Sequence, residues 1–162
     1  MPVVSTLAAI WRLLPTRIPS AQTRGIGEID VRTTMKAAWY EKQGAARDVL
    51  VVGEMEDPHP SAGEVRIRIA FSGVNPGDVK KRDDAFGVGM PYPRVIPHSD
   101  GSGTVDEVGE GVLRDWIGRR VWCYGAQSYR PFGTAAEFTM IPQKQVVQLP
   151  EGVPLEQGAC LR

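Results

Sequence analysis

The clearest pattern in the chain lies between Glu64 and Val74, where Val65, Ile67, Ile69 and Phe71 alternate with Arg66, Arg68 and Ala70. A period of two puts the apolar side chains on one face of an extended chain, so a half-buried strand is expected there. Shorter runs read as strands at Lys36 to Tyr40, Val49 to Glu54, Gly101 to Val108, Arg120 to Tyr124, Thr134 to Ile141 and Val146 to Leu149. Pro58, Pro60, Ala62 and Gly63 punctuate the chain just before the main strand. Directly after it, Asn75-Pro76-Gly77-Asp78 carries the signals of a helix start. An amide can cap the first turn, proline suits the first helical position, and an acid three residues past the cap can reach back to the backbone. These signals predict a short helix from Pro76 to about Arg82. Pro91, Pro93 and Pro97 make Gly87 to Pro97 a loop, and a last short helix is expected near Pro154.

The first 34 residues read differently. Leu7, Ile10, Trp11 and Leu14 recur at helical spacing, and Pro15 would end that turn. Arg12, Arg17 and Arg24 precede the first acid, Glu28. An acid-poor, arginine-bearing start of this kind is either a mitochondrial transit segment or sequence lying upstream of a natural start at Met35. Both readings make residues 1–34 a disordered extension and 35–162 the folded domain. The domain is then expected in the cytoplasm, or in the mitochondrion if the extension is a transit peptide.

Composition narrows the class. Frequent turn residues, Gly 18 and Pro 13 in 162 positions, between short apolar runs favour a mainly β barrel or sandwich over a helical bundle. No long βαβ alternation, internal repeat or low-complexity tract is present. The 42% hydrophobic share can build a core. Basic and acidic residues balance at 19 each, which argues against a nucleic-acid binder. No apolar run approaches the roughly 20 residues of a membrane-spanning helix. Cys123 and Cys160 are far apart and form no CxxC pair, which favours a reducing compartment.

Candidate chemistry is sparse. Gly25-Ile26-Gly27, Gly87-Val88-Gly89, Gly101-Ser102-Gly103 and Gly109-Glu110-Gly111 each begin a dinucleotide fingerprint, but none continues to the third glycine and an apolar helix. They read as turn glycines. His59, His98, Cys123 and Cys160 are the soft metal-ligand candidates, and they do not cluster, so no metal is expected. His98-Ser99-Asp100 could suggest a hydrolase, but adjacent residues on an extended chain diverge and there is no GxSxG elbow. Asn75 is the polar residue of most interest. It is either a helix cap alone, or a cap that also turns its amide to a cleft.

Two stretches carry a family resemblance. The run Ile96 to Val112 packs four glycines among short apolar positions and resembles the glycine-rich element of the medium-chain dehydrogenase/reductase superfamily. Ser99 falls where the zinc-dependent members place a ligand histidine, and Asn75 where they place a ligand cysteine. Gly73-Val74-Asn75-Pro76-Gly77-Asp78 resembles the Val-Asn-Pro-x-(Asp/Glu) element of the zinc-independent, zeta-crystallin-like quinone oxidoreductases. Met35-Lys36-Ala37-Ala38 resembles the usual start of that family, and Gly133-Thr134-Ala135-Ala136-Glu137-Phe138 its strand after the cleft loop.

The resemblance runs from about Met35 to Cys160. It implies the N-terminal GroES-like domain, a pinched β-barrel with short helices, without the Rossmann domain that follows in complete members. It implies an NADPH-dependent, metal-free reductase that moves a hydride from NADPH to a quinone or activated alkene. Asn75, Pro76 and Asp78 become the cofactor-binding residues, and Asn75 and Tyr124 the catalytic candidates. Gln127, Tyr129 and Arg130 lie in the same loop as Tyr124 and could meet a substrate. Family members often carry tyrosine where Lys80 stands, so that role does not transfer. Partners are a small quinone or enone, with no nucleic acid and no membrane. The barrel face that meets the cofactor domain in relatives would be exposed, which predicts poor solubility or a homodimer through that face. A chain of this extent should bind NADPH weakly or not at all. A non-enzymatic GroES-like binding module without cofactor is the second reading, and a ring-forming co-chaperonin the third.

Overall fold

The computed structural model describes residues 10–12 and 34–161. Its elements are named in chain order. They are β1 (Ile10–Arg12), β2 (Thr34–Trp39), α1 (Ala46–Val49), β3 (Val51–Glu56), β4 (Glu64–Gly73), α2 (Pro76–Arg82), β5 (Asp100–Val108), β6 (Arg120–Cys123), β7 (Phe138–Pro142), β8 (Val146–Gln148) and α3 (Leu155–Gly158). The sheet runs β1-β4-β5-β6-β8, and β7 pairs with the first half of β4. All of these pairings are antiparallel. The β2–β3 hairpin joins the sheet through Ala38 N–H to Ala135 O at 2.8 Å and Glu137 N–H to Lys36 O at 2.9 Å. The mainly β expectation therefore holds.

β4 organises the molecule because its alternation is real. Val65 and Ile67 are fully buried and Ile69 nearly so, and they pack with Val105, Val121, Ile141 and Val146. Each such side chain contributes about 1.5–3 kcal/mol by leaving water. Arg66 on the opposite face lies over the Phe138 ring at 4.7 Å and bonds Asp106 through Nε at 2.9 Å. The glycines of β5 serve close approach rather than ligand binding. A Cβ on Gly103 would stand 2.0 Å from the Arg68 carbonyl oxygen, so only glycine lets β5 lie against β4 there.

Three expectations shift. The strand expected from Val49 starts at Val51, because Ala46–Val49 forms one helical turn that buries Val49 beside Gly44. The strand expected over Thr134 to Ile141 shortens to Phe138–Pro142. Its first residues instead follow the hairpin, with Ala136 bridging Ala37. The helical spacing around Leu7 to Leu14 is not kept at Ile10–Arg12, which pairs antiparallel with Phe71 to Gly73. The rest of that spacing, and the disorder expected of the extension, lie outside the described residues. Among the described residues no helix is long and apolar enough to cross a membrane.

Candidate functional site

The site grows from the end of β4. Asn75 is extended (φ −109°, ψ 156°) and caps α2, with Pro76 in the first turn. Asp78 closes a capping box, its Oδ2 accepting the Asn75 N–H at 2.8 Å. The tightest contact of the Asn75 side chain points away from the helix. Its Nδ2 donates to Asp100 Oδ2 at 2.5 Å.

Asp100 opens β5 opposite Gly73 and is 3% exposed. Its Oδ1 takes the Gly125 N–H at 3.4 Å, and its carbonyl takes the Thr134 hydroxyl at 2.7 Å. One residue earlier, the Ser99 carbonyl takes the Ala126 N–H at 2.8 Å. Asn75 thus sits between two buried carboxylates, Asp78 and Asp100, and the second also anchors the loop that follows β6. A second strut crosses from α2 to that loop, Lys81 Nζ donating to Gln127 Oε1 at 2.8 Å.

Behind Asp100 runs a directional chain. Thr134 spends its only hydroxyl hydrogen on the Asp100 carbonyl, so Ser72 Oγ donates to Thr134 Oγ1 at 2.8 Å. His98 Nδ1–H then donates to Ser72 Oγ at 2.8 Å, which sets the ring tautomer. Burial lowers the His98 pKa from 6.5 to about 4, so the ring is neutral at pH 7. The His98 backbone is left-handed at φ 74°, a conformation most residues avoid. Cys123 lies fully buried in the same wall, its thiol pushed up to about 12 by burial and by the Asp100 charge, which makes it inert. Tyr40 is also raised, first by burial and then by Asp78.

The anticipated residues part company. Asn75, Pro76 and Asp78 come together, and Gln127 is buried beside α2. Tyr124 adjoins the anchored loop, but its hydroxyl donates to Lys144 O at 3.3 Å and its ring tilts against Trp122. Tyr129 stands 98% exposed. Arg130 turns elsewhere, pairing with Glu64 Oε1 at 2.7 Å and Met140 O at 3.0 Å. Lys80 lies on an exposed helix face. His59 sits on the outer surface with Glu107 at 3.1 Å, and Cys160 is exposed near the chain end. No group of three or more His, Cys, Asp or Glu side chains is placed to hold a metal ion among the described residues. Sequence reasoning missed Asp100 as a site residue. An acid opening the glycine-rich strand was visible, but its meeting with Asn75, 25 positions away, was not.

Comparison with known proteins agrees with this architecture. The family model of the alcohol dehydrogenase GroES-like domain matches residues 61–151. Mouse quinone oxidoreductase is 34% identical over 129 residues, covering 78% of this chain and 37% of that protein. Starvation-sensing protein RspB of Escherichia coli is 31% identical over 143 residues, covering 74% of this chain and 40% of that protein. A solved mycobacterial structure, Rv1454c complexed with NADPH, superposes with a TM-score of 0.68 at 27% identity, over 79% of this chain and 36% of that chain. The chain spans about two-fifths of the length of these relatives. It belongs to the alcohol dehydrogenase GroES-like domain family, and within the medium-chain dehydrogenase/reductase superfamily it is similar to the quinone oxidoreductases.

Proposed function

We propose that this chain forms the nicotinamide- and substrate-facing part of an NADPH-dependent, metal-free quinone or enone reductase. One observation carries the proposal. At the position where zinc-dependent relatives place a cysteine ligand, Asn75 offers an amide held at 2.5 Å by a buried carboxylate. The donor set suits a neutral planar ligand. An amide nitrogen has two hydrogens, Asp100 takes one, and the other is available to a carbonyl oxygen such as that of a nicotinamide carboxamide. When bound, NADPH supplies the hydride. The chain's own residues orient and enclose: Asn75 and Asp78 fix the end of α2, Pro76 shapes its first turn, and Tyr124 borders the substrate side of the loop. Orientation of this kind is worth on the order of 7 to 11 kcal/mol of barrier in favourable cases.

Metal analysis and a fluorescence titration of the purified chain with NADPH test this together. The expected result is no stoichiometric zinc and binding weaker than micromolar, because no dinucleotide loop is available among the described residues. Stoichiometric zinc would overturn the metal-free reading. Micromolar affinity would overturn the expectation that the pyrophosphate needs another domain. Complete absence of a response at millimolar NADPH would favour the non-enzymatic binding module.

A further inference from the structure

We propose that Asp100 is the positioning residue of this site: with the capping N–H of Asp78, its carboxylate locks one of the two amide orientations of Asn75, and it ties that amide to the loop beginning at Gly125. The inference rests on the cofactor reading above for its functional meaning, but its geometry stands alone.

A side-chain amide can turn by half a revolution and exchange its oxygen and nitrogen with little change in shape. Two partners distinguish the orientations: the Asp78 N–H of the capping box calls for the amide oxygen, and Asp100 calls for the nitrogen. A carboxylate oxygen accepts and does not donate, so only the orientation that brings Nδ2 to Asp100 makes a bond. The reverse sets oxygen against oxygen at 2.5 Å. Hydrogen bonds to charged groups favour the bonded state roughly ten- to a hundredfold. Asn75 is only half buried, so nothing in its own burial would impose that choice.

Asp100, by contrast, cannot turn away. It is 3% exposed and opposite Gly73 in the β4–β5 ladder. Its second carboxylate oxygen holds Gly125 N–H, and its carbonyl is held by Thr134. The Thr134 hydroxyl is in turn fixed by Ser72 and His98. The rigid core therefore sets Asp100, and Asp100, with the capping N–H of Asp78, sets Asn75. The amide then shows a ligand its remaining N–H, so the group it faces is an oxygen acceptor. The same carboxylate positions the loop on the far side of Asn75, so the spacing of both walls depends on one side chain.

The experiment uses the 162-residue chain, labelled with nitrogen-15, as wild type, Asp100→Ala and Asp100→Asn. The readout is the pair of Asn75 side-chain hydrogens, with and without NADPH. In the wild type the bonded hydrogen should lie well separated from its twin and exchange slowly with water. Asp100→Ala should collapse that separation and speed exchange at least tenfold. Asp100→Asn keeps the volume and a neutral acceptor, and should restore part of the separation while weakening any NADPH response about tenfold. A merely structural aspartate would move many resonances without singling out this pair. If Asp100→Ala does not fold, Asp100→Asn carries the test. An Asn75 pair unchanged in the folded variants overturns the proposal. A pair that responds as expected in a chain that ignores NADPH supports the positioning role and removes the cofactor reading instead.

Discussion

The two ends of β4 are built on different principles. From Glu64 to Ile69 the strand buries Val65 and Ile67 completely, and the opposite face carries Arg66 between Phe138 and Asp106. From Phe71 to Asn75 the contacts turn polar: Ser72, His98, Thr134, Asp100 and Asn75 are linked by hydrogen bonds of 2.5 to 2.8 Å. The β4–β5 register shifts between Arg66 and Ile67 and again between Ile69 and Phe71, and at the second shift one regime gives way to the other. Apolar burial is tolerant of detail and supplies stability. A hydrogen-bonded wall is intolerant of detail and supplies geometry. The candidate site sits at the second end and borrows its rigidity from the first.

Four perturbations separate the two ends, and the most damaging lies in the apolar half. Ile67→Ala leaves a cavity in the fully buried core and should cost about 4 kcal/mol by chemical denaturation, while leaving the Asn75 side-chain resonances in place.

Acid should act at the other end. His98 has a pKa of about 4 in the folded chain, against an ordinary value of 6.5. Between those values the unfolded chain holds a proton that the folded one excludes, so stability is full above about pH 6.5 and falls as pH drops toward 4. The loss approaches about 3 kcal/mol, since each pH unit between the two values contributes about 1.4 kcal/mol. His98→Asn, which tolerates the left-handed backbone, should flatten that slope in denaturation curves taken from about pH 4 to 7.

Ser72→Ala interrupts the chain between His98 and Thr134, and should cost about 2 kcal/mol by the same measurement while also disturbing Asn75. Arg66→Met removes two partly buried ion pairs, to Asp106 and Glu107, but keeps the stem over Phe138, and should cost only about 1 kcal/mol with no effect on the site. A loss at Arg66 larger than at Ser72 would mean that the division between the two ends is misdrawn.

Legibility in the sequence follows the same division. The alternation of Val65, Ile67 and Ile69 revealed β4, and Asn75-Pro76-Gly77-Asp78 revealed the start of α2, because periodicity and capping are local. The glycine run from Gly101 marked a close backbone approach, and Gly103 against Arg68 is that approach. Contacts between distant residues were not legible. Asn75 and Asp100 lie 25 positions apart, and Ser72 and Thr134 lie 62 apart. Nothing in their local patterns says that they meet. Arg130 shows the same limit from the other side. Its place in the cleft loop suggested a substrate contact, and a glutamate 66 positions away claims it. The turn of α1 escaped because Ala46-Arg47-Asp48-Val49 carries no cap that hydrogen-bonds it, and Gly44 and the burial of Val49 form it instead.

Whether the polar end of β4 is where a nicotinamide is received can be read in a single experiment, a nuclear magnetic resonance titration of the chain with NADPH that follows both ends in one spectrum. Shifts are expected at Asn75, Asp78, Asp100 and Gly125 in the millimolar range, with the methyl groups of Val65 and Ile67 unmoved. Shifts confined to the apolar end, or none at either end, would contradict that assignment.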